Sequence, residues 1–431
     1  MLNRHRAGLA FVFVTVLLDM LALGIIVPVL PKLILTFLGN DFANAALITG
    51  VFGTIFAVFQ LVVSPILGVL SDKVGRRPII LLSNLGTGLD YIVMALAPSI
   101  GWLFLGRIIS GITTSSIAVA SAYVADVTPA DRRAGAFGMI SACFGIGFVI
   151  GPAVGGLLGN IDPRLPFWGA AILSLANFAY GLLVLPESLA LEKRNTFSWA
   201  RANPFGALRL LQQHSELFGL SIVNFIGYIA HEALPTLFVL YTIYVFHWTL
   251  GMNGIALAVV GAATIVIGAF VVQPVVNRFG ERRSLAIGFF FGSLGFAFLS
   301  GSQVLFWISL VVSSLGMISS SAAQAIMTRR VAENQQGELQ GAINMLRSLG
   351  SILGPLLFSG VFAYTSKSWH LPSAAWWFGA LLLIVAMAAS WIVTSPSDDV
   401  AEPIDSVRTM EAALSEDAVA PFPSAAANLE P

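Results

Sequence analysis

The chain has 431 residues and a net charge of zero, with 57% hydrophobic and only 10% charged residues and a mean hydropathy of +0.86. That composition excludes a soluble globular domain, so length here counts membrane crossings at roughly 20 apolar residues per ~30 Å of hydrocarbon, and twelve fit. A net charge of zero says nothing about a nucleic-acid or acidic partner, since in a membrane chain what matters is where the charges fall, and a single cysteine, Cys143, excludes an intrachain disulfide.

The N-terminus, MLNRHRAGLAFVFVTVLLDM, has the basic start of a signal peptide. Its apolar run continues past Asp19 to Pro31 without a small-residue cleavage site, so it reads as a retained first span. Apolar runs place the spans at 8–35, 44–70, 79–97, 102–125, 135–158, 166–186, 217–245, 252–276, 284–301, 304–327, 338–363 and 373–394. Charge supports this map independently. Of the 22 Lys and Arg residues, 17 fall in the N-terminus, the even-to-odd connections and the C-terminal tail, while Lys32, Arg164 and Lys367 fall on the other side. Such a partition follows the positive-inside rule for twelve spans with both termini cytoplasmic. The expected fold is all-α: a polytopic membrane protein with an N-terminal six-helix half at 1–186, a cytoplasmic linker at 187–216 and a C-terminal six-helix half at 217–394. The tail, 395–431, has too little apolar content to pack and reads as disordered.

The halves repeat. Gly138 matches Gly341 and Gly151-Pro152 matches Gly354-Pro355, all at an offset of 203 residues, and SDKVGRR after span 2 returns as VNRFGERR after span 8, with Gly75 opposite Gly280 at an offset of 205. An even number of spans per repeat keeps both copies in the same orientation, as in transporters whose halves rock around a midplane cavity.

Two groups of charges need a reason in so apolar a chain. GVLSDKVGRRPIILLS packs four charges between Asp72 and Arg77, in a connection of about eight residues between apolar runs. A cluster there can be made in one conformation and broken in another, each partly desolvated pair contributing on the order of 1–3 kcal/mol; cations that only fix topology are the alternative. The second copy carries Asn277 where the first carries Asp72 and on that pattern lacks an acid. The other group lies inside the spans, where a charge costs a few kcal/mol and marks a functional site by default. Asp19 and Asp90 each sit about eleven residues from a cytoplasmic helix start, roughly 16 Å deep at 1.5 Å per residue. A carboxyl there can exchange a proton when a cavity opens to either side, or can serve as a hydrogen-bonded neutral acid. Arg107 can pair with either acid or snorkel outward. His231 and Glu232 in span 7 and Arg347 in span 11 complete the set.

These residues carry a family resemblance. LDMLALGIIVPVLP in span 1, GVLSDKVGRRP after span 2, LGRIISGITTSSIAVASAYVAD in span 4 and GFVIGPAVGG in span 5 resemble the major facilitator superfamily, and within it the tetracycline/proton antiporters; GELQGAINMLRSLGSILGPLLF in span 11 supports the match. The resemblance implies proton-coupled drug efflux by alternating access in a bacterial inner membrane. It implies a cytoplasmic gate of Gly68, Asp72, Gly75, Arg76, Arg77 and Asp126, and proton-coupling residues Asp19, Asp90 and Arg107. It also implies cavity positions at Gln60 and Gln324, where interhelical hydrogen bonding is the other reading, and an antiporter helix marked by Gly147, Gly151, Pro152 and Gly155. Small residues at that spacing let helices touch along their backbones.

The second half departs from the exporter pattern. The acid that tetracycline exporters carry in span 9 is replaced by Gly292 in GFFFGSLGF, and Thr264 stands where span 8 commonly has a histidine. Glu232 is the candidate replacement acid, with His231 and Arg347 as cavity candidates, unless the His231-Glu232 pair is merely hydrated at an outer helix end. Without the span 9 acid, magnesium-chelated tetracycline is expected to be a weak substrate. Amphipathic compounds stacking on Phe225, Tyr228, Phe238, Phe290 or Trp376 are expected instead. A proton-coupled carrier of a sugar, organic acid or siderophore is the alternative. No phosphate loop, zinc-type cluster or nucleophile elbow occurs, so no enzyme is expected. The expected partners are a small molecule, protons and lipid, for a monomer with no cofactor and no metal.

Overall fold

A backbone in hydrocarbon must satisfy its own hydrogen bonds, which leaves helices for runs of this composition. The computed structural model of the protein describes residues 2–114, 116–129, 132–199, 203, 205–206, 208–213 and 215–394, and among these no strand occurs. The tail at 395–431 lies outside them. Eleven segments are long and apolar enough to cross a membrane: Phe11–Phe37, Phe42–Val74, Arg76–Leu96, Ile100–Val127, Gly135–Ile161 and Leu165–Val184 (spans 1 to 6), then Leu217–Phe246, Leu250–Phe270, Gln303–Arg329, Gln336–Ser368 and Ala374–Val393 (spans 7, 8, 10, 11 and 12). Glu281–Phe298 takes the place of span 9; it is 18 residues long and three charged residues, Glu281 to Arg283, occupy its first turn. The twelve helices form two bundles of six.

Local sequence sets the joints. Gly75 between spans 2 and 3 and Gly280 between spans 8 and 9 both have positive φ, +107° and +76°, a region that glycine enters without strain. Each lets one helix end and the next begin at once, which is why the two glycines correspond in the repeat. Span 7 breaks once: its helix runs from Ser215 to His231 and resumes at Ala233, leaving Glu232 at the break.

The segment between the halves is not free chain. Asn195 N donates to the Asp72 carbonyl at 3.0 Å, and Leu210 and Leu211 of the short helix Leu208–Gln213 are buried in the apolar core that includes spans 7 and 11. Each end of the linker is therefore anchored to the half next to it.

Across the molecule, span 5 packs on span 8 and span 2 on span 11. These contacts lie toward one face only. Gly50 and Gly53 of span 2 abut Pro355 and Gly156 of span 5 abuts Leu250 and Gly254, whereas Gly68 at the other end of span 2 and Gly135 and Gly138 near the start of span 5 have no atom within 4 Å of a would-be Cβ. The halves are therefore closed on the face opposite the 2–3 and 4–5 connections and separated on the face that carries them, called here the loop face.

Candidate functional site

That separation makes a cavity of about 880 Å³ between the halves, open toward the loop face and bounded by Ser64, Gly68 and Ser121 on one side and by Asn344, Arg347 and Ser348 on the other. Gln60 joins it to a deeper pocket of about 250 Å³, reached by Phe56 and Arg107 from the first half and by Glu232, Ser351 and Pro355 from the second. Of the expected cavity residues, Gln60 and Arg347 line these spaces, and Arg347 stacks over Tyr228 at 5.4 Å. Gln324 instead hydrogen-bonds Gln340 between spans 10 and 11 at 3.3 Å, the interhelical role. His231 is exposed and lines neither space, its Nδ1 at 2.9 Å from the Gly227 carbonyl and its ring beside Phe296.

The membrane charges separate into three settings. Asp19 is half-buried and accepts from Asn177 of span 6 at 3.2 Å. Asp90 is fully buried; Ser110 of span 4 donates to its Oδ2, while Oδ1 has no hydrogen-bond partner. Arg107 pairs with neither acid among the ion pairs of the described residues. Its guanidinium lies 4.7 Å over the Phe56 ring, at the wall of the deep pocket. Glu232 is not at a hydrated outer end: the helix break aims it into that pocket, where Ser351 donates to its carboxylate at 2.6 Å.

At the loop face the cluster expected around Asp72 assembles. Arg76 reaches Asp72 at 2.6 Å, Asp126 at the end of span 4 at 3.2 Å and Ser71 Oγ at 2.5 Å. Arg77 donates to the Leu182 carbonyl near the end of span 6 at 2.8 Å. Sequence reasoning missed Glu187, whose carboxylate accepts from the backbone N–H of Arg76 at 2.8 Å and of Arg77 at 3.3 Å. An acid at a helix N-terminus satisfies N–H groups that have no intrahelical acceptor and meets the positive end of the dipole. The signal was available as the first acid after span 6, in the sequence LPESL.

The expectation that the second copy lacks an acid is wrong. Glu281, buried at the start of span 9, pairs with Arg329 at the end of span 10. Arg282 donates to the Trp391 carbonyl at 3.1 Å and to Thr394 Oγ1 at 3.2 Å, at the end of span 12. Position 277 misled because the acid had moved four residues on, to the site matching Arg76.

Two further expectations change. Gly147, Gly151 and Gly155 pack against span 1, around Met20, Gly24 and Ile25, while Gly254 of span 8 meets Pro152 and Gly156; the antiporter helix thus contacts its own half through one face and the other half through the next. Of the proposed stacking residues, Phe238 and Trp376 are buried in an aromatic cluster with Tyr241, Phe296 and Phe306, because large rings gain most where they are fully removed from solvent. Phe290 is exposed beside Phe291. Gly292 faces Gly316 of span 10 and Leu383 of span 12, with 3.2 Å between a would-be Cβ and Leu383 Cδ1, so a side chain there requires the leucine to give way.

A family model described as the Major Facilitator Superfamily matches residues 12–355 and 220–416. The class C tetracycline resistance protein of Escherichia coli is 37% identical over 389 residues, covering 90% of this chain and 97% of that protein. The class G protein of Vibrio anguillarum is 36% identical over 388 residues, covering 89% and 96%. Among solved structures, the nucleoside transporter NupG superposes with a TM-score of 0.75 at 15% identity over 89% of this chain and 98% of that one, a likeness of fold alone. The chain belongs to the major facilitator superfamily, and within it to the drug-antiporter type that includes the tetracycline resistance proteins.

Proposed function

We propose that the protein exports a small amphipathic compound in exchange for protons by alternating access, in a bacterial inner membrane with both termini in the cytoplasm. The observation that carries this reading is the pocket that ends the cavity: it is walled by a cation of one half, Arg107, and an acid of the other, Glu232. A compound seated there touches both halves at once, and its binding is felt by any motion that separates them. With the termini cytoplasmic the loop face is cytoplasmic, and the structure corresponds to the state that loads from the cell. Asp19, Asp90 and Glu232 are the acids through which protons cross, with Arg107 setting the charge balance around them. Gly68, Asp72, Gly75, Arg76, Arg77 and Asp126 form the gate on the first-half side, and residues 187–216 tether the two moving halves.

The relatives are tetracycline resistance proteins by name, and a tetracycline is the first compound to test. The glycine at 292 supports weak handling of its magnesium chelate, since the charge complement expected in span 9 is missing there. The experiment is accumulation of radiolabelled tetracycline in inverted vesicles with and without magnesium, beside a resistance panel in an efflux-deficient host. Resistance to amphipathic compounds with little magnesium-dependent accumulation is the expected result. Robust magnesium-dependent accumulation would restore the plain tetracycline assignment, and proton-driven uptake of a metabolite without any resistance would replace export.

A further inference from the structure

On the closed face, among the described residues, two side-chain hydrogen bonds cross from the first half to the second. Asn160 Oδ1, at the end of span 5, accepts from Gly251 N at 2.9 Å. Gly251 is the second residue of the span 8 helix, so its N–H is one of the four that a helix start leaves without an intrahelical acceptor. Thr249 takes the next one, Met252 N; Asn160 thus caps a helix of the other half. The second bond runs from Thr54 Oγ1 of span 2 to the Ile352 carbonyl of span 11 at 2.7 Å. Pro355 has no N–H for the carbonyl of Ser351, one residue before Ile352, so the helix is already short of a donor in this turn, and the Ile352 carbonyl takes the Thr54 hydroxyl in addition to its own helical bond. In both cases the first half supplies the side chain and the second half a backbone group.

Close packing surrounds each bond. Gly254 approaches Pro152 and Gly156 beside the first, and Gly50 approaches Pro355 and Ser359 beside the second. Such contacts bring the two backbones close together, but they pair no donor with an acceptor across the seam. The hydrogen bonds are directional and can be made only when the faces are shut. Opening this face exposes Gly251 N and the Ile352 carbonyl together.

We propose that Asn160 and Thr54 are positioning residues that latch the closed face, acting on the second half's backbone so that the resting balance between the two conformations is written in side chains of the first half alone. Ser351, which holds Glu232, adjoins Ile352 in the same turn, so the latch and the deep pocket share one segment of span 11. The inference rests on the alternating-access reading, but its test reads conformation and needs neither substrate nor transport.

The full chain is placed in lipid nanodiscs with Cys143→Ser and spin labels on Ser64→Cys and Asn344→Cys, which stand on opposite walls of the large cavity. The ratio of long to short label distances reports how far the loop face is open. Thr54→Val, nearly isosteric, should shift that ratio toward the short distance by about 3- to 10-fold, the effect of one net hydrogen bond. Asn160→Ala should do the same, and the double variant should combine them to about 10- to 100-fold. Thr54→Ser and Asn160→Asp keep the donor and the acceptor and should restore the parent ratio, which a merely structural role would not require. A ratio for Thr54→Val within two-fold of the parent, or conservative variants that shift as far as the deletions, would overturn the latch.

Discussion

Glu281 stands in the second half where Arg76 stands in the first, and the ion pair each makes has its charges exchanged: Arg76 binds Asp126 at the end of span 4, Glu281 binds Arg329 at the end of span 10. Both follow a glycine with positive φ, and the next residue in each copy is an arginine bound to the end of the last helix of its half. The duplication preserved the tie between a loop and a helix end but not its polarity, because either sign order closes the same distance. Glu281→Gln should lower transport on the order of ten-fold by removing a charge-assisted bond. Glu281→Arg combined with Arg329→Glu should recover most of it, since the first half already carries that arrangement. Vesicle transport rates at matched expression check this, and a double variant no better than Glu281→Gln would defeat it.

On the first-half side, Arg76 holds three partners, so the loss of one should slow the gate without unfolding it. Asp72→Asn leaves Asp126 and Ser71 in place and is expected to cut the transport rate several-fold at normal expression. Unchanged kinetics would leave these cations with topology alone. Glu187→Gln acts differently, through the N-terminus of span 3. Weakening that cap costs about 0.5–2 kcal/mol, and thermal unfolding in detergent should drop by a few degrees while the substrate profile stays the same.

The membrane acids predict the coupling. Substrate-driven proton release in proteoliposomes, followed with a pH dye, should vanish in Asp19→Asn or Asp90→Asn. Wild-type release from both would move the coupling to Glu232, where Glu232→Gln should then abolish it. In Ser351→Ala the carboxylate loses its hydroxyl donor but remains in the pocket, so a changed half-saturating concentration with a retained maximal rate is the expected signature of Glu232 contacting the transported compound.

The glycines divide by what surrounds them. A side chain at Gly155 would run into the backbone of Ile25 in span 1, and no flexible atom there can yield. Gly155→Leu should therefore abolish stable insertion, read as loss of monodisperse protein on size exclusion. Gly68→Ala meets open space in this conformation and should fold normally, with any loss confined to the transport rate as the loop face closes. Equal yields of the two variants would contradict the packing of span 5 on span 1.

The sequence by itself determined that this chain is a helical membrane protein of twelve spans, that six spans repeat six, and which connections carry the cations, because span length, repeat offset and Lys/Arg placement are properties read along one dimension. It also marked Arg76 with Asp126 and the inward acids, since a charge in an apolar run is conspicuous wherever it later points. Only the tertiary structure decided what each residue faces. Glu232 reaches the deep pocket because span 7 breaks beneath it, while its neighbour His231 lies outside that pocket, beside Phe296. Phe238 and Trp376 vanish into a ring cluster because helix packing, not aromatic character, selects which residues line a cavity. Glu281 and Asn160 were silent for the same reason, and Glu187 showed only as an acid after span 6, without its partner. Each acts on a partner 48 to 111 residues away in the chain, and no local pattern encodes a contact that the folded bundles alone bring together.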